Sequence, residues 1–460
     1  MRSTRGEPGH GPQDVMERVK AEELDYVRCQ FVDMSGILRG RSVHRRHLPS
    51  VLKTGIPFAK INNIVDIDDQ ESDFSLGSQA GEFWAVPDPS TLRRVPHTHA
   101  SGQMFADLVS ADGSSWPTCG RALVRRVNEM VARELGDVSL GFEQEGYVLR
   151  KEGERYLPVV SGKQMQPENL DILDEFVTDL DAALEIMDVP IEKMTAEGGW
   201  GMFEVNFEHD RPLAAVERYF RYKQAFRIVA REHGMVGTFM PKPFPEAVGA
   251  GLHVHVSCRA ADGADLFGAG GHGVELTETG RWFLGGLIKH APALIAIGSP
   301  TVNSYKRLRA GTWAPTRFAY GAGNRSAMIR IVQGRTDQPG EPAPRRIEIR
   351  SPDGTSNPYL VAAAIMAAGL DGVRRRLDPG PPSDYDLGHL ESTGQLPSDA
   401  PNAFPRSMDA ALDALEADEG LRELLGPAMV DAYIRVKRIE WAKFMTYVTD
   451  WEYRYYAEFF

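Results

Sequence analysis

Residues 346–350 read Arg-Ile-Glu-Ile-Arg. Side chains alternate along an extended strand, so Arg346, Glu348 and Arg350 occupy one face while Ile347 and Ile349 occupy the other. A chain with such a segment needs a sheet with an apolar layer behind it and a charged face in front, a face suited to anions and metal ions. Taken alone, the pentapeptide reads more simply as a charged strand edge facing water. Other segments have to decide between the two.

The 460 residues exceed the usual single-core limit, so two domains, or one large domain with a smaller partner, are expected. A hydrophobic content of 42% and a charged content of 25% are ordinary for a globular chain, and no uninterrupted apolar stretch is long enough for a membrane span. The net charge of −12 argues against nucleic acid as a partner, because phosphate neutralisation needs a dense basic surface. The first dozen residues are charged, without a following apolar segment, and predict a disordered start rather than a secretion signal. Cys29, Cys119 and Cys258 are far apart with no metal-type spacing, which suits reduced thiols and a cytoplasmic location.

Alternation over residues 25–45, interrupted by Ser35-Gly36, predicts a hairpin. Trp116-Pro117 to Gly120 marks a boundary. Leu123, Val127, Met130, Val131 and Leu135 then recur at helical spacing, and Gly136 ends the run. Further helices are expected at 214–234, 276–296, 358–376 and 407–425, with a long loop from Asp378 to Pro405. The last helix carries Trp441, Phe444, Tyr447, Trp451, Tyr455 and Phe459. Such a stripe is costly to leave wet, so core packing is expected before a subunit contact.

Several segments concentrate chemistry-bearing residues. Glu143 and Glu145 share one strand face, where like charges call for a cation. Glu197 and Glu204 flank a glycine-rich turn. After Gly249-Ala250-Gly251, the residues His253, His255 and Ser257 lie on one strand face, a moderate metal signal. Arg307, Arg309, Arg325 and Arg330 offer planar guanidinium groups for carboxylate or phosphate. The glycine run from Gly268 to Gly273 has dinucleotide-type spacing but follows a polar segment, so it is expected to be a loop. No phosphate-binding loop of the Walker type occurs, so a nucleotide would be held by metals and arginines.

In order, Asn303-Ser-Tyr-Lys-Arg-Leu308, Asn324-Arg-Ser-Ala327, Arg346-Ile-Glu-Ile-Arg-Ser-Pro-Asp353 and Asn357-Pro-Tyr-Leu360 resemble motifs of the glutamine synthetase superfamily, bacterial class I type. The resemblance runs from about residue 20 to the C-terminus. It implies an α+β fold: a disordered start at 1–19, an N-terminal β-grasp domain at 20–116 and a glutamine synthetase catalytic domain at 117–460, with a curved antiparallel sheet and flanking helices. It implies stacked rings of subunits, a dodecamer, with each site completed by a neighbour. One Mg²⁺ or Mn²⁺ would be held by Glu145, Glu197 and Glu204, and a second by Glu143, His253 and Glu348. Arg307, Arg350 and Gly249 would bind the acid substrate, glutamate. Arg325, Arg330 and Arg346 would neutralise ATP phosphates and the phosphoryl group in flight, with Ser257 and His255 near the nucleotide. The implied chemistry is an ATP-dependent ligation through an acyl phosphate.

The sequence departs from ammonia-using members at particular positions. Trp313 stands where they carry a flap glutamate, and the region of Phe58-Ala59-Lys60 lacks a second acid. An indole in place of a carboxylate suits an organic amine, such as a polyamine, ethanolamine, an alkylamine or an aniline. Val248 and Met202 replace an asparagine and a glutamine near the amino-acid end of the substrate. A true glutamine synthetase, a ligase for another carboxylic acid and a non-catalytic assembly are the other readings. Tyr385 lies near where some relatives are modified, and is more simply a surface residue.

Overall fold

The computed structural model describes residues 11–70, 72, 80–160, 163–268, 275–334 and 345–460. Order begins earlier than the expected start at residue 20. Pro12–Ala21 is a helix with Pro12 in its first turn, Asp14 accepting a bond from Gly11 N (2.8 Å), and Val15 and Val19 buried.

The N-terminal domain is a mixed sheet. Its strands are β1 (Tyr26–Val32), β2 (Leu38–His44), β3 (Ile56–Ala59), β4 (Glu82–Pro87), β5 (Arg93–Arg94) and β6 (Ser101–Val109). The predicted hairpin is β1–β2, in register from Tyr26 opposite His44 to Val32 opposite Leu38. β1 also pairs in parallel with β6. The Gly120–Glu134 helix follows, and its Arg121 ties the domains together: it reaches Asp88 (2.5 Å) and Asp107 (2.8 Å) on one side and Glu217 (2.8 Å) on the other.

The second sheet comprises β7 (Asp137–Glu152), β8 (Arg155–Pro158), β9 (Ile191–Ala196), β10 (Met202–Phe207), β11 (Val236–Thr238), β12 (Leu252–Arg259), β13 (Tyr320–Ala322), β14 (Ile329–Gln333) and β15 (Arg345–Ile349). Among the described residues its order is β13-β14-β15-β12-β7-β10-β9, with β8 and β11 both on β7. All neighbours are antiparallel except the edge pair β13–β14. Phe142, Val205, Val254, Val256, Ile347 and Ile349 turn to the core on one face, where the helices Pro212–Glu232 and Pro358–Arg375 add their own apolar surface. The second helix is apolar nearly all round, as a fully enclosed helix must be.

Two long predicted helices are each two. His290 separates Glu278–Lys289 from Ala291–Gly298, because Pro292 cannot continue the hydrogen-bond ladder, and Asp418 separates Met408–Ala417 from Glu419–Leu425 by capping Leu421 N. The predicted loop at 378–405 contains a short helix, Leu387–Ser392, capped by Asp386. The dinucleotide-like glycine run after Gly268 lies outside the described residues.

The core-packing expectation for the aromatic stripe is corrected. The helix Pro427–Met445 ends before the stripe does, and a second one, Asp450–Tyr456, follows. Trp441 packs against the core, but Tyr447, Trp451, Tyr455 and Phe459 are 50–76% exposed. No helix among the described residues is long and apolar enough to cross a membrane.

Candidate active site

Strand register assembles the charged face. Across β14, β15 and β12, Arg330 stands opposite Glu348, and Glu348 opposite His255. Across β12, β7 and β10, His253 stands opposite Glu143 and Glu143 opposite Asn206; two residues along, Glu145 stands opposite Glu204. Directly opposed side chains on one face touch, so five strands contribute to a continuous row.

His253 Nδ1 lies 2.8 Å from Glu143 Oε1 and 3.6 Å from Glu348 Oε1, while His255 Nε2 lies 3.4 Å from Glu143 Oε2. Donor atoms of Glu143, His255 and Glu348 fall within 4.8 Å of one another. His255, expected near the nucleotide, therefore also stands within reach of the ion expected at His253. Asn206 Nδ2 donates to Glu143 Oε2 (3.0 Å). Glu145 accepts a bond from Gly251 N (2.5 Å), and Glu197 accepts from Gln164 Nε2 (3.0 Å) and Gly198 N (3.3 Å).

The arginines flank the acids. Glu348 is fully buried between Arg330 Nη1 (2.9 Å) and Arg350 Nη1, and Arg350 Nε also donates to the carbonyl of the exposed Arg325. Arg346 is exposed and donates to His255 Nδ1 (3.1 Å). Arg307 is buried, with its guanidinium donating to the carbonyls of Arg350 (3.0 Å), Ser351 (2.9 Å) and Pro352 (3.1 Å). In the structure it clamps the segment leading from Arg350. Gly249 and Gly251 form its floor: a Cβ at Gly249 would sit 2.7 Å from Arg307 Cγ, and one at Gly251 would strike the guanidinium. Ser257 lies farther along β12, opposite Ser139.

Electrostatics divides the acids into two groups. Burial alone would raise Glu348, but His253, Arg350 and His255 outweigh it and pull the carboxyl to about 2. Burial is likewise outweighed at Glu143, where bonds from His253 and His255 hold the carboxyl well below its usual range. Glu204, in contrast, is pushed up to about 9 by burial and by Glu143, Glu145 and Glu197, and Glu197 is raised by burial and by Glu145. The Glu145, Glu197 and Glu204 group thus has more negative charge than its surroundings balance. Lys193 Nζ, 3.9 Å from Glu204 and 60% exposed, is the cation of β9 that faces it. Oxygen donors in excess of positive charge fit a hard divalent ion.

The turn before Trp313 is anchored through Thr312, whose hydroxyl donates to the carbonyls of Arg307 (2.9 Å) and Arg309 (2.6 Å). Trp313 itself is 70% exposed with φ +62°. Positive φ is uncommon for a bulky side chain. Tyr147 donates its hydroxyl to the carbonyl of Val248.

Residues 117–456 match the family model for the glutamine synthetase catalytic domain, and residues 11–116 match that for the glutamine synthetase N-terminal domain. The chain belongs to the glutamine synthetase family. It is 33% identical to a glutamate–methylamine ligase of Methyloversatilis universalis over 98% of this chain and all of that one. It is 32% identical to a glutamine synthetase of Rhizobium leguminosarum bv. phaseoli over 95% of this chain and 98% of that one. A solved structure of GmaS with ADP superposes with a TM-score of 0.85 at 31% identity, covering 96% of this chain and 99% of that one. As a member of the family the chain is an ATP-dependent ligase, and members use divalent metals with ATP.

Sequence reasoning missed Asn206, Gln164 and Lys193, and did not group His255 with Glu143 and Glu348. Asn206 was readable, since it lies two residues past Glu204 on the same strand face. Gln164 approaches Glu197 from a turn more than thirty residues earlier, and no local pattern announces it.

Proposed function

We propose that the enzyme phosphorylates the γ-carboxyl of glutamate with ATP and joins the acyl group to an organic amine, releasing ADP and phosphate. A carboxylate oxygen attacks the γ-phosphorus and ADP leaves. The amine nitrogen then attacks the acyl carbon, the C–O bond to phosphate breaks, and the proton lost by the nitrogen ends on the departing phosphate.

Glu145, Glu197 and Glu204 would hold one Mg²⁺ or Mn²⁺, and Glu143, His253 and Glu348 a second, with His255, its Nδ1 accepting from Arg346, set beside Glu143 through Nε2. Such ions supply charge neutralisation for the triphosphate. His253, Arg350 and His255 keep Glu348 ionised, and the bonds from Arg330 and Arg350 fix its direction. Arg346 and Arg325, both exposed, have their guanidinium groups available for phosphate oxygens. Arg307 and Gly249 would shape the acid pocket, Arg307 mainly by fixing the chain at 350–352.

The observation that carries the choice of amine is Trp313. An exposed indole on a turn anchored to Arg307 offers apolar area, and a π-face for a cation, where an acid would have drawn ammonium. Similarity to a glutamate–methylamine ligase supports the same reading. We further propose a homo-oligomer of stacked rings, a dodecamer in the cytoplasm with sites shared between neighbours. The exposed aromatic C-terminal segment supports it, since a stable monomer has little reason to display that surface.

Phosphate release with glutamate and ATP, measured for ammonium against methylamine, ethanolamine, putrescine and benzylamine, tests the proposal. Turnover with an organic amine well above that with ammonium is expected. Robust turnover with ammonium alone defeats it. Replacing glutamate by other carboxylic acids tests the alternative that Val248 and Met202 raise.

A further inference from the structure

Away from the carboxylate row, the Pro212–Glu232 helix, the 35–38 turn of the N-terminal domain, the 235–241 segment and the Pro427–Met445 helix line a half-open cavity of about 930 Å³. It shares no lining residue with the site above. Cavities at domain junctions, of this order of size, are where small molecules bind.

One wall is a column of cations. Lys223, Arg227 and Arg231 follow one another at four-residue spacing, so they stack along one helix face about 6 Å apart. Like charges at this spacing repel, and the exposed side chains of Arg227 and Arg231 form no hydrogen bond or ion pair among the described residues. Lys223 donates to the carbonyl of Gly354 (2.7 Å), which leaves it further N–H donors. Burial and the neighbouring Arg227 pull its ammonium down to about 8, although Asp353 acts in the opposite sense.

Of the acids nearby, Asp353 is bonded through Oδ1 by Thr355 N (2.9 Å) and keeps Oδ2 without a partner, while the others are engaged. Glu440, the one acid among the described lining residues, is held by Lys437 (2.8 Å), and Asp66 and Asp68, which flank the lining residue Ile67, are both taken by Lys443 (2.7 and 2.6 Å). Beside the column, Gln224 has a buried side-chain oxygen without a partner. The apolar part of the lining is made of Met235, Phe239, Met240 and Val302, with the centre of the Phe239 ring 5.3 Å from Lys223 Nζ.

We propose that this cavity is a binding site for a short-chain di- or tricarboxylate, its acid groups on the Lys223–Arg227–Arg231 column and its hydrocarbon spacer on the apolar wall. The step between cations suits acid groups separated by a few carbons. Adjacent phosphates of a polyphosphate share a bridging oxygen and are set closer than the column. Three segments of the wall continue directly into the catalytic machinery: Pro241 leads to Gly249, Asn303 to Arg307, and Gly354 follows Arg350. Asn303 also bridges two of them, bonding Lys242 N (2.7 Å) and Lys242 O (3.1 Å).

Calorimetric titration of the full-length protein with tricarballylate and glutarate, against acetate and pyrophosphate, tests this. Wild-type protein is expected to bind tricarballylate, and R227E/R231E to lose affinity on the order of ten-fold or more while its melting temperature and basal turnover stay unchanged. Lys223→Met provides a second variant with the same expected loss. The proposal is overturned if neither polycarboxylate binds, if acetate or pyrophosphate binds as well, if the variants bind as tightly as wild type, or if a crystal structure of the oligomer fills the cavity with a neighbouring chain.

Discussion

Replacing Trp313 by alanine isolates the contribution of the indole. An aromatic side chain presents up to roughly 250 Å². At 70% exposure, ~175 Å² of Trp313 is free to meet a ligand. If an amine's carbon chain covers half of that, ~90 Å² leaves water, worth ~2 kcal/mol at about 25 cal/mol per Å². This corresponds to a rise of about 30-fold in KM for an alkyl or aryl amine. Ammonium has no such surface, so its KM should move less than about three-fold. Alanine keeps the β-carbon, and with it the backbone strain at φ +62°, so the comparison reports the ring and not the turn. Trp313→Gly serves as a control. It relieves about 1 kcal/mol of strain and adds a similar entropy to the unfolded chain, leaving stability within about 1 kcal/mol of wild type. Steady-state phosphate release across the amine panel supplies the KM values. An equal loss for every amine and for ammonium, or no loss at all, would refute the assignment.

Divalent ions should raise the melting temperature of the metal-free protein by relieving crowding at Glu145, Glu197 and Glu204. Glu204→Gln should be at least as stable as wild type without metal and gain less from Mn²⁺, as read by scanning fluorimetry; an unchanged gain would count against Glu204 as a ligand. His290 is buried between Asp418 (2.7 Å) and Asp371 (2.9 Å), and although burial lowers its pKa, the two carboxylates more than reverse this. Its contribution is complete below its ordinary value of about 6.5 and is lost as pH rises through the raised one, so His290→Asn should cost about 3 kcal/mol at pH 6 and less at pH 9 in urea unfolding. Equal costs at both would exclude a charged imidazole. Deleting residues 446–460 should reduce the assembly size seen by light scattering without lowering the melting temperature of the remaining subunit, because the removed aromatic surface is exposed.

The charged face was legible because strand alternation is rigid: once Arg346, Glu348 and Arg350 share a face, Ile347 and Ile349 must lie in the core, as they do. Register between strands was not legible, and it is register that sets His255 beside Glu348 and Asn206 beside Glu143. Helical periodicity ran through His290 and Asp418 without a visible break, although His-Ala-Pro and Asp-Glu-Gly each held the stop signal. The aromatic stripe misled for a different reason. Apolar composition requires burial, but it does not say whether the same chain or another supplies the cover.

The carboxylate row draws on five strands, and a one-residue slip in any of them would turn its side chains into the apolar layer. Trp313 rides on a turn outside the sheet, free of that constraint. If Trp313 selects the nucleophile as proposed, editing one turn is enough to retune which one is accepted, while a carboxylate row built across five strands is inherited whole or lost whole.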